Sequence, residues 1–343
     1  MRSVFTGKSA RFLVRRVLWS FAIVFFVTTT TFFLNRAIPS DPARMVAGAQ
    51  ARPSDVARIR EQLGLNKSLA VQYGIFLARL VHLGPSRFDA DKTPEHSTCG
   101  HLGPIHLDLG RSYQQRRPVV DILQKRLPFT AVLALAATTI SVILGVGSGL
   151  LAALRRNSWI DATTVGLSLI GISAPTFILG VLLQYLFAYQ LGLLPLNGAG
   201  EGLLDGARHL ALPALTLGVF GAAFYTRMVR GEMVELLKQD YVRTARAKGV
   251  SEVRVVLVHA LRNALVPIVT VIGLDLGALL GGAVITEQLF SWPGIGALAV
   301  RSMRDRDGPL IIGTVLVGAI AIVLASLVVD FAYALLDPRI RNE

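Results

Sequence analysis

Apolar residues are not spread evenly along this chain. They collect into six runs, at about 14–35, 129–154, 162–190, 210–229, 264–286 and 310–336, and charged and turn-forming residues return between them. A helix rises about 1.5 Å per residue, so crossing a hydrocarbon core of about 30 Å takes roughly 20 apolar residues. Every run is long enough. The pattern predicts an all-α membrane protein with six transmembrane helices.

The third run contains a weak point at Gly171, Ser173, Pro175 and Thr176. Proline removes one backbone donor and leaves a carbonyl for neighbours to satisfy. A static kink and a moving hinge both fit that pattern. Between the first two runs, Ser54–Leu65 shows a capping residue followed by Val56, Ile59 and Leu63 at helical spacing. Ser68–Leu83 reads as a second short helix after a turn at Gly64–Lys67, and Gly84–Gly103 reads as an irregular loop rich in Pro, Ser, Asp, His and Gly.

Composition agrees with the pattern: 52% of the 343 residues are apolar. The 35 Lys and Arg exceed the 22 Asp and Glu, for a net charge of +13. That excess is spread over loops on both sides of the spans and forms no basic stripe interleaved with aromatics, which argues against nucleic acid. One cysteine, Cys99, excludes an intrachain disulfide framework. Arg11, Arg15 and Arg16 before the first apolar run mimic a secretory signal. The run is too long for one, and the first A-x-A-like site, Ala47–Ala49, lies well beyond it, so it reads as a retained span.

Charge also sets an expected orientation. Cations gather before the first run, at Arg155 and Arg156, through Arg227–Arg262, and at Arg339 and Arg341. The loops after the third and fifth runs hold only Arg208, and then Arg301, Arg304 and Arg306. The positive-inside rule places both termini in the cytoplasm. The segment 36–128 holds fourteen Lys and Arg, but loops beyond about 60 residues cross largely regardless of charge. The expected division is a cytoplasmic N-terminus and first span over 1–35, a partly helical extracytoplasmic region over 36–128, and a five-span core over 129–343. A cytoplasmic loop at about 230–263 interrupts that core.

That loop is cationic yet patterned as helix. Val250, Val253, Leu257, Ala260, Leu261 and Ala264 fall on one helical stripe. Gly249 suits a left-handed cap for the helix before it, and Ser251 suits the N-cap of the next, with Glu252 in its first turn. An interfacial helix holding anionic lipid is one reading. The small Ala245 and Ala247 beside Gly249 favour close docking into a protein cleft instead.

The run Arg243-Thr244-Ala245-Arg246-Ala247-Lys248-Gly249, followed by Leu265-Val266-Pro267, resembles the Glu-Ala-Ala loop of bacterial ABC importer permeases. Arg243 and Thr244 stand where that family has its first Glu and Ala, so any role of that carboxylate does not carry over. The strings "IPSDPA" (38–43), "QLGLNKSLAVQY" (62–73), "DLGRS" (108–112), "HALRNALVPIVTVIGL" (259–274), "FSWPGIG" (290–296) and "DPRIR" (337–341) are similar to the dipeptide and oligopeptide branch. Together they cover nearly the whole chain. The resemblance implies the type I ABC importer permease fold, a coupling role for Arg243–Gly249, and Pro267 joining the coupling loop to the fifth span. It also implies a homologous second permease, two ABC ATPase subunits, an extracytoplasmic peptide-binding protein and surrounding membrane lipid as partners. The location implied is the bacterial inner membrane. No cofactor is expected on this chain, because ATP and magnesium bind the ATPase subunits. Related permeases with the same motifs carry nickel or other small solutes, so the substrate stays open.

The remaining candidates have two readings each. "GKS" at Gly7–Ser9 lacks the further glycine of a phosphate loop. Asp275, inside the fifth run, costs on the order of 2.5–3.5 kcal/mol at membrane depth and must face a polar cavity or a partner. It lines a path, or it is held within the bundle. Asp330 reads as structural. Glu287, Phe290, Trp292 and Pro293 belong to a segment that cannot be a straight helix. That segment lies near the outer gate in the family, or it is a loop anchored at the interface by Trp292. Glu95, His96, Cys99, His101 and His106 fit no zinc spacing and look like part of an insertion. No H-E-x-x-H or G-x-S-x-G string supports an intramembrane enzyme. The short loop after the second run argues against a half-exporter.

Overall fold

A computed structural model of the chain describes residues 7–37, 41–48, 50–83, 99–102 and 105–336. The first long helix, α1 (Gly7–Ala37), leads to short helices α2 (Pro42–Ala47), α3 (Pro53–Gln62) and α4 (Leu69–Leu80). Strands β1 (Val81–Leu83), β2 (Cys99–Leu102) and β3 (Ile105–Asp108) follow. Then come α5 (Val119–Leu154), α6 (Trp159–Ser173), α7 (Thr176–Leu183) with a π-helical continuation over Gln184–Gln190, and α8 (Gly202–Leu236). After α9 (Asp240–Ala247), α10 (Glu252–Arg254) runs through a π-helical turn, Val255–Ala260, into α11 (Leu261–Leu280). The chain continues with α12 (Val284–Leu289), α13 (Ile295–Arg304) and α14 (Gly308–Leu336).

Among the described residues, α1, α5, α8, the run Glu252–Leu280 and α14 are long and apolar enough to cross a membrane. The third expected span is a bent pair: α6 and α7 meet at 103° across Ala174–Pro175. The weak point in the sequence is therefore a sharp break. The fifth span ends before its apolar run does. It ends at Leu280 because Gly281 and Gly282 follow, and Gly282 takes φ +115°.

Residues 18–129 and 294–320 form one unit. Its core joins Leu109, Val119 and Leu123 to Ile295, Leu298 and Leu310. The strands form an antiparallel sheet in the order β1-β3-β2, with Val81 opposite Leu107 and Cys99 opposite Asp108. This corrects two expectations. The second short helix stops at Leu80 rather than Leu83, and 99–102 is strand rather than loop. Val81-His82-Leu83 and Ile105-His106-Leu107-Asp108 alternate at period two, but over too few residues to signal a strand without the pairing partner. Residues 84–98, with Glu95 and His96, lie outside the described residues. Among the described residues, no group of three His, Cys, Asp or Glu is arranged to hold a metal.

Residues 1–17, 130–293 and 321–343 form the other unit. Lipid-level helices gain little from hydrophobicity between themselves, so small residues must let backbones approach. On α5, a methyl at Gly145 would lie 2.4 Å from Tyr225 Cβ, and one at Gly149 would lie 2.7 Å from the Thr226 carbonyl of α8. On α11, the same test puts Gly273 1.9 Å from Val329 and Gly277 2.6 Å from Ala325 of α14. Both pairs have the Gly-x-x-x-Gly spacing. Ser148 and Thr226 bridge α5 and α8 at 2.7 Å, and Ser141 donates to the Gly218 carbonyl at 3.0 Å.

Candidate functional site: the cationic loop and the membrane-level acid

Residues 237–260 turn the chain from α8 back into α11. Gln239 is extended before α9, and Asp240 supplies an acid to its first turn. The helix ends as the sequence predicts. Gly249 takes φ +78°, its N–H donates to the Arg246 carbonyl at 2.9 Å, and the Val250 N–H donates to the Ala245 carbonyl at 3.2 Å. Those two bonds are the Schellman pattern, which needs a left-handed residue at the glycine position.

Two faces result. Val242 and Ala245 are buried against Val255, with Leu237 and Val250 packed beside them. Arg243, Thr244, Arg246, Ala247 and Lys248 are exposed. Arg243 lies 3.5 Å from Asp240, an exposed contact worth little. Arg246 grips Glu252 across the glycine turn, with contacts of 2.5 and 3.1 Å. That bidentate bond holds the guanidinium pKa above its ordinary value, first through the hydrogen bond itself. Thr244 donates to the Asp240 carbonyl at 2.9 Å.

Three expectations change here. Ala245 packs inside its own chain, so of the two small residues only Ala247 is on the outer face. Ser251 occupies the N-cap position without a side-chain cap bond. The buried stripe is Val255, Val256, Ala260, Ala264 and Ile268, while Val253 and Leu257 are exposed. The π-helical turn over Val255–Ala260 adds a residue per loop of hydrogen bonds and rotates the buried face away from the α-helical reading. Pro267 lies within α11, where it removes the amide that would otherwise donate to Asn263.

Farther along α11, Asp275 is half-buried. The Tyr225 hydroxyl of α8 donates to its Oδ2 at 3.3 Å. A methyl added at Gly221 would lie 3.8 Å from the same oxygen and 2.3 Å from Ser141 Oγ. No cation pairs with Asp275 among the described residues. This acid therefore has one long hydrogen bond and a small, partly hydroxylated neighbourhood.

The segment 287–293 has a different character. Glu287 is fully buried and accepts from Thr130 Oγ1 at 2.9 Å. Phe290 and Trp292 are also buried, and the Phe290 carbonyl accepts from the Gly198 amide at 2.9 Å. Leu289 and Phe290 press on Gly180, where a methyl would meet Leu289 at 2.6 Å. These three side chains sit inside this chain's own packing rather than on an open face, and Trp292 is not a surface anchor. Pro293 is partly exposed, and Ser291 takes φ +51° in the turn.

Ion pairs also link distant parts of this unit. Asp330 pairs with Arg16, which fits the structural reading of that acid. Sequence reasoning missed the other: Arg230 near the end of α8 holds Asp161 on α6 with contacts of 2.5 and 2.8 Å. The Asp161 side chain is only 6% exposed. The partners are 69 residues apart, and nothing local distinguishes this arginine from its neighbours.

Residues 145–342 match the family described as binding-protein-dependent transport system inner membrane component, and residues 9–134 match the N-terminal region of such membrane components. A glutathione transport system permease protein, GsiC, of Escherichia coli (strain K12) is 38% identical over 96% of this chain and 98% of its own. A putative peptide transport system permease protein of Brucella abortus (strain 2308) is 39% identical over 96% and 99%. Among solved structures, the inward-facing MetNI methionine ABC transporter has a chain of similar fold, with a TM-score of 0.54 at 21% identity. The match covers 64% of this chain and 98% of that one.

Proposed function

The chain belongs to the family of binding-protein-dependent transport system inner membrane components, and from that premise we propose that it forms half of the translocation path of an ATP-driven importer for short peptides. Family membership makes it a multi-pass inner-membrane protein and a transport subunit rather than an enzyme. The observation that carries the coupling part is the exposed cationic helix Asp240–Ala247, closed by Gly249 and set between two membrane-spanning helices.

In this reading both termini and α9 lie in the cytoplasm, and residues 36–128 lie outside. An extracytoplasmic binding protein delivers the peptide. Two ATPase subunits bind ATP and magnesium and hydrolyse the nucleotide. Their closure pushes on the outer face of α9, at Arg243, Thr244, Ala247 and Lys248. The push reaches the spans through the Val242–Ala245–Val255 contact on one side and through Arg230–Asp161 on the other. The path runs between this chain and a homologous second permease. Asp275 faces it and meets the amino group of the passing peptide. Pro293 borders the outer end, where Glu287, Phe290 and Trp292 hold the turn in shape.

Peptide is favoured over nickel by the relatives at 38% and 39% identity, one a glutathione transport permease and one a putative peptide transport permease. The test is uptake by proteoliposomes holding this chain with its second permease, ATPases and binding protein. ATP-dependent accumulation of labelled tripeptide, glutathione included, is expected. Accumulation of nickel with no peptide uptake would overturn the substrate.

A further inference from the structure

The unit formed by 18–129 and 294–320 contains a cavity of about 970 Å³. Its base is the last turn of α1, with Phe32, Asn35 and Arg36, and the first turn of α14, with Pro309 and Ile312. Helices α3 and α4 and the loop 108–116 form its walls. That volume lies in the upper part of the range for small-molecule sites.

The lining is amphipathic. Phe32, Leu63, Ile75, Phe76 and Leu109 give it an apolar floor, while five arginines, Arg36, Arg58, Arg79, Arg111 and Arg116, face two aspartates, Asp55 and Asp108. Some of this charge is already engaged. Arg58 pairs with Asp55 at 3.1 Å, and Arg116 donates to the Val46 carbonyl at 3.2 Å. Arg36 and Arg111 hold no carboxylate among the described residues. Arg36 lies 5.6 Å over the Phe32 ring.

The loop that carries Arg111 is stiff. Ser112 Oγ donates to Asp307 at 2.5 Å, the Gln114 amide donates to the same carboxylate at 3.2 Å, and the Val119 amide donates to the Gly110 carbonyl at 3.0 Å. Tyr113 beside it is half-buried, and that desolvation raises its phenol above the ordinary value. The wall is thus built in advance of any ligand, so an anion bound there costs little ordering.

We propose that this cavity is a binding site for the free carboxylate end of a short peptide, held by Arg36 and Arg111 over the apolar floor before the peptide enters the path. The proposal rests on the peptide reading above. A guanidinium pair matches a carboxylate in charge and in planar geometry. The apolar floor takes the adjoining side chains. At about 970 Å³ the cavity holds a compact peptide more readily than a phospholipid with its two acyl chains. An anionic lipid headgroup would use the same arginines, so the test separates the two.

The complete importer without its binding protein is placed in nanodiscs of phosphatidylcholine, and binding of labelled trialanine is compared with that of its carboxyl-terminal amide. The acid form is expected to bind roughly tenfold tighter, as befits charge-assisted bonds. Arg111→Gln and Arg36→Gln should each erase that difference, while Arg52→Gln, outside the cavity, should keep it. Because the amide comparison needs no mutation, misfolding of a variant does not blur the result. Equal binding of acid and amide overturns the proposal. So does retention of phosphatidylglycerol, lost in Arg111→Gln, in place of peptide. Uptake by the reconstituted importer is measured in parallel. Peptide uptake without acid-selective binding refutes the cavity alone, and no peptide uptake refutes the parent reading as well.

Discussion

Replacing Gly249 isolates the contribution of one backbone conformation to coupling. The residue sits at φ +78°, and a side chain added there would meet nothing within 4 Å. Steric crowding within this chain is therefore excluded as a cause, and the order Asn, Ala, Val tests the left-handed backbone. For an ordinary L-residue that conformation costs roughly 1–2 kcal/mol, and it is worse for a β-branched one. Asparagine tolerates it best, so the cost should rise in the order Asn, Ala, Val. If the chain instead relaxes, it gives up the Gly249–Arg246 and Val250–Ala245 bonds, each worth about 0.5–1.5 kcal/mol. Either route places Gly249→Val at about 2 kcal/mol, or roughly thirty-fold in the balance between closed and opened helix ends. The assay is the ratio of peptide taken up to ATP hydrolysed in proteoliposomes. That ratio should fall most for Val, less for Ala and least for Asn, with assembly of the complex unchanged. A Val variant with the wild-type ratio, or an Asn variant as poor as Val, would refute the reasoning.

Asp275→Asn keeps shape and hydrogen bonding to Tyr225 while removing charge, so uptake of peptides with a free amino group should fall several-fold more than uptake of amino-blocked ones. Equal loss for both would assign Asp275 to the bundle. Asp161→Asn should destabilise the purified complex in a thermal inactivation assay by about 3 kcal/mol, the low end for a broken buried pair, because Arg230 keeps 28% of its side chain exposed. Combining it with Arg230→Gln should cost less than the sum of the two, and strict additivity would deny the coupling. A membrane-impermeant thiol reagent on intact spheroplasts should label Cys99, the one cysteine of the chain, with a denatured sample as control. Labelling only after permeabilisation would reverse the orientation.

The features that could be read from the sequence are those set by local chemistry. A span needs only a long apolar run, the α6–α7 break needs only Pro175, and the end of α9 needs only Gly249. Features set by contacts at a distance could not be read. Strands of three or four residues exist through their pairing, as Val81 with Leu107 shows. The stripe expected over 250–264 differs from the buried face because a π-helical turn is invisible to a 3.6-residue period. The spacing of Gly145 with Gly149 and of Gly273 with Gly277 was present in the sequence, but which helix each meets is a tertiary fact. Glu287 illustrates the same limit: its burial against Thr130 is decided by a residue 157 positions away.

The central claim is that α9 is the part of this chain on which the ATPase subunits act. Cysteines placed at 247 and 245, in a Cys99→Ser background, test it through a short cysteine-to-lysine cross-linker applied to the assembled importer. Ala247 lies on the exposed face and Ala245 is buried in its own chain. Ala247→Cys should capture an ATPase subunit and Ala245→Cys should not. Absence of any ATPase product from Ala247→Cys in a complex that still hydrolyses ATP would contradict the account.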